Sequence, residues 1–305
     1  MARSRGDDGW KLVLQNYFRD FLEFFFPEIS RDTQPDRYEF VDGELQSLAR
    51  RVGIGKRITD KLVKVYLSNG SERWLLVHIE IQGKEERGFE ERLFIYSYRI
   101  YDRHRRGVAT LAVLADGRRD YRPACFEMQN WGCRHLFEFP SVKLLDYAEK
   151  IQELEESRNV FAIVVLAHLR FLATMHNKRE RLFWKSALVK SLDEKGFDHD
   201  ARAVLYIFID WLLVLPEPLE IEYNEDMKRY EKEKNMAYVT SAERIGRKQG
   251  RKEGRLEGKL EGKLEGRLEG KLETASNMFK EGFNRETVKK LTGLTDKELD
   301  SLTTE

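Results

Sequence analysis

The chain has 305 residues, and 54 Lys and Arg against 53 Asp and Glu leave no net field to draw a polyanion or a cation from a distance. Its 41% hydrophobic content, with 18 Phe and 5 Trp, provides for a real core and excludes a wholly disordered chain. Cys125 and Cys133 are too few for a disulfide framework and have no metal-ligand spacing. No apolar run approaches the roughly 18 residues of a membrane span, and the first residues lack a signal-peptide stretch, so a cytoplasmic protein with no membrane partner is expected.

In chain order, Leu12, Leu14, Tyr17, Phe18, Phe21, Leu22 and Phe25 recur at helical spacing and predict one helix from Trp10 to Phe26, stopped by Pro27. A short helix or strand follows at 44–51. Two alternating runs, 58–67 and 74–82, are then joined by Ser68-Asn69-Gly70-Ser71-Glu72, and an Asn-Gly pair between such runs is a strong hairpin signal. If the hairpin is symmetric about Gly70, paired residue numbers sum to 140 and Asp60 lies opposite Glu80. Carboxylates opposed on one sheet face, about 5 Å apart at Cβ, repel unless one is protonated or a cation lies between them. Gln82 shares that face by alternation. The same pair also fits an exposed, solvated sheet face.

Phe89, Leu93, Tyr96 and Ile100 predict an amphipathic helix from Phe89 to Arg106, ended by Gly107, and Val108–Ala115 reads as a strand buried on both faces. A second hairpin is expected around Gly132, between Pro123 and Phe139, with Cys125 and Cys133 as packing residues. Three helical stretches follow at 157–175, 179–195 and 201–215, closed by Pro216 and Pro218. Asp210, inside an apolar run there, requires a partner.

The segment 246–273 is a four-residue repeat that becomes Gly-Arg/Lys-Leu-Glu from Gly254 onward. As a helix its leucines drift by about 40° per repeat, each glycine costs roughly 1 kcal/mol against alanine, and like charges face each other at i,i+4. Glycine at every fourth position does allow close backbone approach. A linker and a helix that joins copies of the chain into a homo-oligomer both remain open. After it, Gly282, Gly293 and a Thr295-to-Glu298 capping box outline a small helix-turn-helix-like unit.

The segments Phe40-Val41-Asp42-Gly43-Glu44-Leu45-Gln46, Asp60-Lys61-Leu62-Val63-Lys64-Val65, His78-Ile79-Glu80-Ile81-Gln82, Arg92-Leu93-Phe94-Ile95-Tyr96 and Lys143-Leu144-Leu145-Asp146-Tyr147, with the repeat tail, resemble the Rpn-type recombination-promoting nucleases. These transposase-like proteins belong to the PD-(D/E)XK nuclease superfamily. The resemblance implies an α/β (α+β) fold with a restriction-endonuclease-like mixed sheet flanked by helices at 1–150; the patterns read above add a helical subdomain at 151–240, the repeat at 241–273 and a small helical unit at 274–305. It also implies hydrolysis of DNA phosphodiesters with Mg²⁺ or Mn²⁺, linked to recombination or mobile elements. Asp60 and Glu80 match the metal-binding acids, Glu44 an acid that completes the shell or positions water, and Gln82 the place of the superfamily's usual lysine. Lys64 or Lys84 is a candidate replacement for that cation. Arg92, Tyr96 and Arg99, on the helix after the motif, are candidate DNA contacts. The alternative is a nuclease-fold assembly protein with feeble or no catalysis.

Overall fold

The computed structural model describes residues 8–41, 61–80, 88–234, 270–295 and 299, giving only the backbone course at 78–80. Its centre is a five-stranded mixed sheet with strand order β1-β2-β3-β4-β7. The strands are β1 (Thr33–Phe40), β2 (Lys61–Leu67), β3 (Glu72–Glu80), β4 (Val108–Leu114) and β7 (Ser141–Lys143), while β5 (Cys125–Asn130) and β6 (Cys133–Glu138) form a separate hairpin. β1, β2 and β3 pair antiparallel; β3 with β4 and β4 with β7 pair parallel. The result is the mixed α/β architecture expected from the sequence.

Alternation within each strand sends its apolar residues to two cores. Val63, Val65, Leu75, Val77, Leu111 and Val113 join the core made with the helices α1 (Asp8–Asn16), α2 (Phe18–Phe25), α6 (Val160–Ala173) and α8 (His199–Leu212). The opposite face is covered by α4 (Phe89–His104), the crossover between β3 and β4. Its Tyr96 and Ile100 pack on Leu62, Trp74 and Leu76, and its Phe89 and Leu93 on Ala112 and Leu114. The first turn of α4 therefore sits at the carboxyl ends of β3 and β4, and its later turns run back toward their amino ends.

The β2–β3 hairpin forms in a different register from the symmetric one. Lys61 pairs with Val77 and Tyr66 with Glu72, so partners sum to 138, and the centre of the turn is Asn69 rather than Gly70. The Gly70 amide donates to Leu67 O at 2.8 Å, Leu67 N donates to Ser71 O at 2.8 Å, and Gly70 adopts φ 82°. This is a three-residue Ser68-Asn69-Gly70 loop with glycine in the left-handed position, which a two-residue reading of Asn-Gly does not anticipate. A shift of two residues preserves side-chain parity.

The first helix is also broken. Tyr17, at φ −133° and ψ 42°, separates α1 from α2, and Asn16 turns its side-chain amide onto Leu12 O at 2.7 Å. α2 stops at Phe25, with Phe26 non-helical directly before Pro27 as expected, and Pro27 then opens a new short helix, α3 (Pro27–Asp32), where its missing N–H costs nothing. Arg105 (φ 49°), rather than Gly107, caps α4. Cys125 and Cys133 are exposed on the β5–β6 hairpin instead of packed, and the Trp131-Gly132 turn carries φ 45° and 84° with Trp131 wholly in solvent.

The region after 150 does not build its own core. α5 (Ile151–Glu156), α6, α7 (Lys178–Glu194), α8 and α9 (Glu217–Lys234) belong with the sheet to one compact unit, Met1–Ala242, so the division expected near 150 is no break in packing. Asp210 finds the partner its setting demands: Lys185 Nζ lies 2.7 Å from its Oδ1 and 3.1 Å from Glu220 Oε1, and packs 4.3 Å from the Tyr223 ring centre. The buried Arg181 instead donates to Phe171, Thr174 and Val214 carbonyls at 3.2–3.4 Å, where a cation suits the exposed carbonyls of a helix end.

The second unit, Glu243–Glu305, has as its described part a helix at 270–280, a helix at Arg285–Thr292 and Leu299. Asn284 caps the Arg285–Thr292 helix through Thr287 N at 2.9 Å, Gly293 ends it at φ 66°, and Ala275, Val288, Leu294 and Leu299 form a small core. Glu298 of the expected capping box, and the repeat up to 269, lie outside the described residues. No described helix is long and apolar enough to cross a membrane.

Two outcomes follow from this packing. A Cβ on Gly9 would fall 2.3 Å from Trp211 Cε3, so Gly9→Ala should lower stability by about 1–3 kcal/mol, read as a reduced thermal midpoint. His168 is fully buried and bonded to Ala115 O, and desolvation pushes its pKa down from 6.5 to about 4. The unfolded chain thus takes up a proton near pH 6.5 that the native state refuses until about pH 4. Stability is full above that window and falls within it by about 3 kcal/mol as pH drops. His168→Gln, a neutral donor, should lack that loss when urea midpoints are compared at pH 7 and pH 4.5.

Candidate functional site at the carboxyl edge of the sheet

Parallel strands end at the same edge, and in α/β sheets the carboxyl edge is where a ligand crevice forms. Here the register sets one row across three strands: Glu80 on β3 is level with Leu114 on β4, which is level with Lys143 on β7. Glu80 is the last residue of β3. Asp60, Gln82, Glu44 and Lys84 lie outside the described residues.

Lys64 does not belong to this edge. It pairs with Trp74, six residues back from Glu80 along β3, and at about 3.3 Å per residue that is roughly 20 Å, far beyond a lysine's reach. Its ammonium lies 3.5 Å from Glu39 and over the Trp74 ring at 5.7 Å.

The candidate DNA contacts separate just as clearly. Tyr96 is 3% exposed and packs inward on Leu62 and Leu76, so it is a core residue and not a surface contact. Arg99 is half-buried, two turns further along α4 than Arg92 and so about 10 Å toward the amino ends of the strands. Arg92 stays at the carboxyl edge, 5.5 Å from the ring centre of Phe89.

The edge also holds groups that sequence reasoning did not assign. Two residues past Leu114, Asp116 is completely buried. Its Oδ2 accepts from Lys143 Nζ at 2.5 Å, and its Oδ1 accepts from the Arg118 amide at 2.9 Å and lies 3.4 Å from Arg118 Nε. Lys143 also donates to Tyr121 O at 3.4 Å. The cation level with Glu80 is therefore already neutralised. The signal for this pair was present as an Asp straight after one buried run and a Lys just before another, but nothing local says that the two meet. Among the described residues no group of three His, Cys, Asp or Glu is poised to hold a metal.

The fold and this edge define a mixed α/β protein with a separate C-terminal helical unit. Residues 268–304 match the family model described as Rpn/YhgA-like nuclease family, C-terminal HTH domain, in agreement with the resemblance drawn from the more N-terminal motifs. The matched stretch contains the described helices at 270–280 and Arg285–Thr292. No curated protein and no solved structure matches the chain significantly.

The Asp116–Lys143 pair yields a direct test. Lys143→Met leaves the buried Asp116 carboxylate with only the longer Arg118 contact and should cost about 3 kcal/mol, while Lys143→Met with Asp116→Asn should recover most of it in denaturant titrations.

Proposed function

We propose that the protein is a metal-dependent DNA endonuclease whose site lies at the carboxyl edge of the central sheet. The observation that carries this reading is the position of Glu80, the acid of the Glu-x-Gln motif, at the end of a strand paired antiparallel on one side and parallel on the other. The nuclease-family match of the C-terminal segment supports the same reading, and a helix-turn-helix unit is a common DNA-docking device.

Asp60 and Glu80 would hold the cation. Both numbers are even, so strands continued in either hairpin register would put the two on one face. Two carboxylates offer hard oxygen donors, which suit Mg²⁺ or Mn²⁺ that keeps several waters. Such an ion, when bound, lowers the pKa of water and offsets phosphate charge. Glu44 would help orient the attacking water, and Gln82 would contribute neutral hydrogen bonds where related nucleases use a lysine. A link to recombination or mobile elements accompanies the family likeness.

A second reading, a DNA-binding assembly protein with feeble catalysis, draws on one observation: the lysine level with Glu80 is committed to Asp116. Supercoiled plasmid with Mg²⁺ or Mn²⁺ separates the two. The nuclease reading expects nicked or linear product, and a loss of at least about 100-fold in rate for Asp60→Ala and for Glu80→Gln with circular dichroism unchanged. Undiminished cutting by both variants would remove the site assignment; no cutting by the native protein at any concentration would leave the assembly reading.

A further inference from the structure

We infer that Arg118 and Arg119, on the loop leaving β4 beside Glu80, act with Arg92 as a rim that grips the nucleic-acid phosphate backbone; the inference rests on the nuclease reading and names its substrate contacts. Because Glu80 is level with Leu114, the chain leaving β4 at Asp116 emerges at the edge where β3 ends. That loop, Asp116-Gly117-Arg118-Arg119-Asp120-Tyr121-Arg122, carries three arginines in seven residues.

The loop is held rather than loose. Asp116, buried against Lys143, accepts the Arg118 amide at 2.9 Å and so fixes the turn from inside. At the far end Arg122 forks onto Asp146 with bonds of 2.8 and 2.5 Å. Between these anchors the Arg118 guanidinium, its Nε 3.4 Å from Asp116 Oδ1, lies 4.1 Å over the Tyr121 ring, the Tyr121 and Phe89 rings meet at 6.5 Å, and Arg92 lies 5.5 Å from the Phe89 ring centre. The two aromatic rings thus bridge two arginines from separate elements. Arg119 is exposed and bonds no described residue through its side chain.

The chemistry of these groups favours a phosphate. Arginine presents a planar fork of donors matched to phosphate oxygens, and stacking on a ring orients that fork at little entropic cost. Arg122, spent on Asp146, is an anchor and does not reach the substrate. Phosphate contacts position a substrate without reading its bases, so the rim should bind DNA without regard to sequence.

The test uses the full chain in the Glu80→Gln background and a fluorescent duplex of random sequence, with binding followed across a salt series. Arg118→Ala/Arg119→Ala should weaken binding about 5- to 20-fold and lower the slope of log K against log salt by roughly 0.9 for each phosphate no longer neutralised, equally for unrelated sequences. Because Arg118 Nε also lies 3.4 Å from the buried Asp116, the thermal midpoint should fall modestly, while the Asp116–Lys143 pair holds the fold and circular dichroism stays unchanged. Arg179→Ala, a surface arginine paired with Glu222 on the helical side, should leave affinity and slope at the parent values. Unchanged affinity and slope in the double variant, or an equal loss in Arg179→Ala, would overturn the rim. Weakened binding alongside a native protein that binds but never cuts would uphold the rim and sink the nuclease reading.

Discussion

The parallel pairing of β3 with β4, from Trp74 level with Val108 to Glu80 level with Leu114, is the constraint on which the rest of the molecule depends. Parallel neighbours cannot be joined by a tight turn, so the chain must cross over, and α4 is that crossover. The sheet is then buried on both faces, which is why Leu111 to Leu114 is a continuous apolar run. The same pairing makes Glu80, the Asp116 exit and the first turn of α4 open at one edge. An antiparallel pair would have sent the two strand ends to opposite sides.

Buried charge in this protein serves register more than stability. Moving a carboxylate and an ammonium out of water costs several kcal/mol each, and their attraction only roughly repays it. What the Asp116–Lys143 pair provides is position, since it ties the loop leaving β4 to the end of β7 and orients the following backbone. Lys185 has a comparable role among the helices, bridging Asp210 on α8 and Glu220 on α9. Arg181 has carbonyl oxygens as partners in place of an acid, closing a helix end that would otherwise leave acceptors unmet.

The two units follow different rules. The first has a large core in which the helices after residue 150 pack on the same sheet as the N-terminal helices, with Trp10, Phe21 and Phe161 in one aromatic cluster. The second relies on a handful of apolar residues and on end signals: an Asn cap, a left-handed glycine, and Val288 against Ala275 and Leu299. Small units depend more on such local devices, because a short chain buries less of its surface.

Much was legible in the sequence where local physics decides. Periodicity located α4, β4, the second hairpin and the helices from α6 to α8, and the apolar setting of Asp210 correctly demanded a partner. The acids of the candidate site were legible as residue types at a spacing. The sequence did not reveal the pairing register, because a type of turn, and not the Asn-Gly pair alone, sets which residues face each other. Nor did it reveal β1, β7 or the exclusion of Lys64, because each depends on where a distant segment lies; the inward turn of Tyr96 was legible in its periodicity with Phe89, Leu93 and Ile100 and argued against its place as a DNA contact. The meeting of Asp116 with Lys143, separated by 27 residues, is of the same kind. By itself the sequence determined the strongly periodic helices and strands and most of the side chains that seek burial within them, since those follow from neighbours in the chain; β1, α3, α5 and α9 carry too weak a local pattern. Only the tertiary structure decided which charges share an edge, since that is fixed by strand order and register, and these minimise free energy over the whole sheet at once.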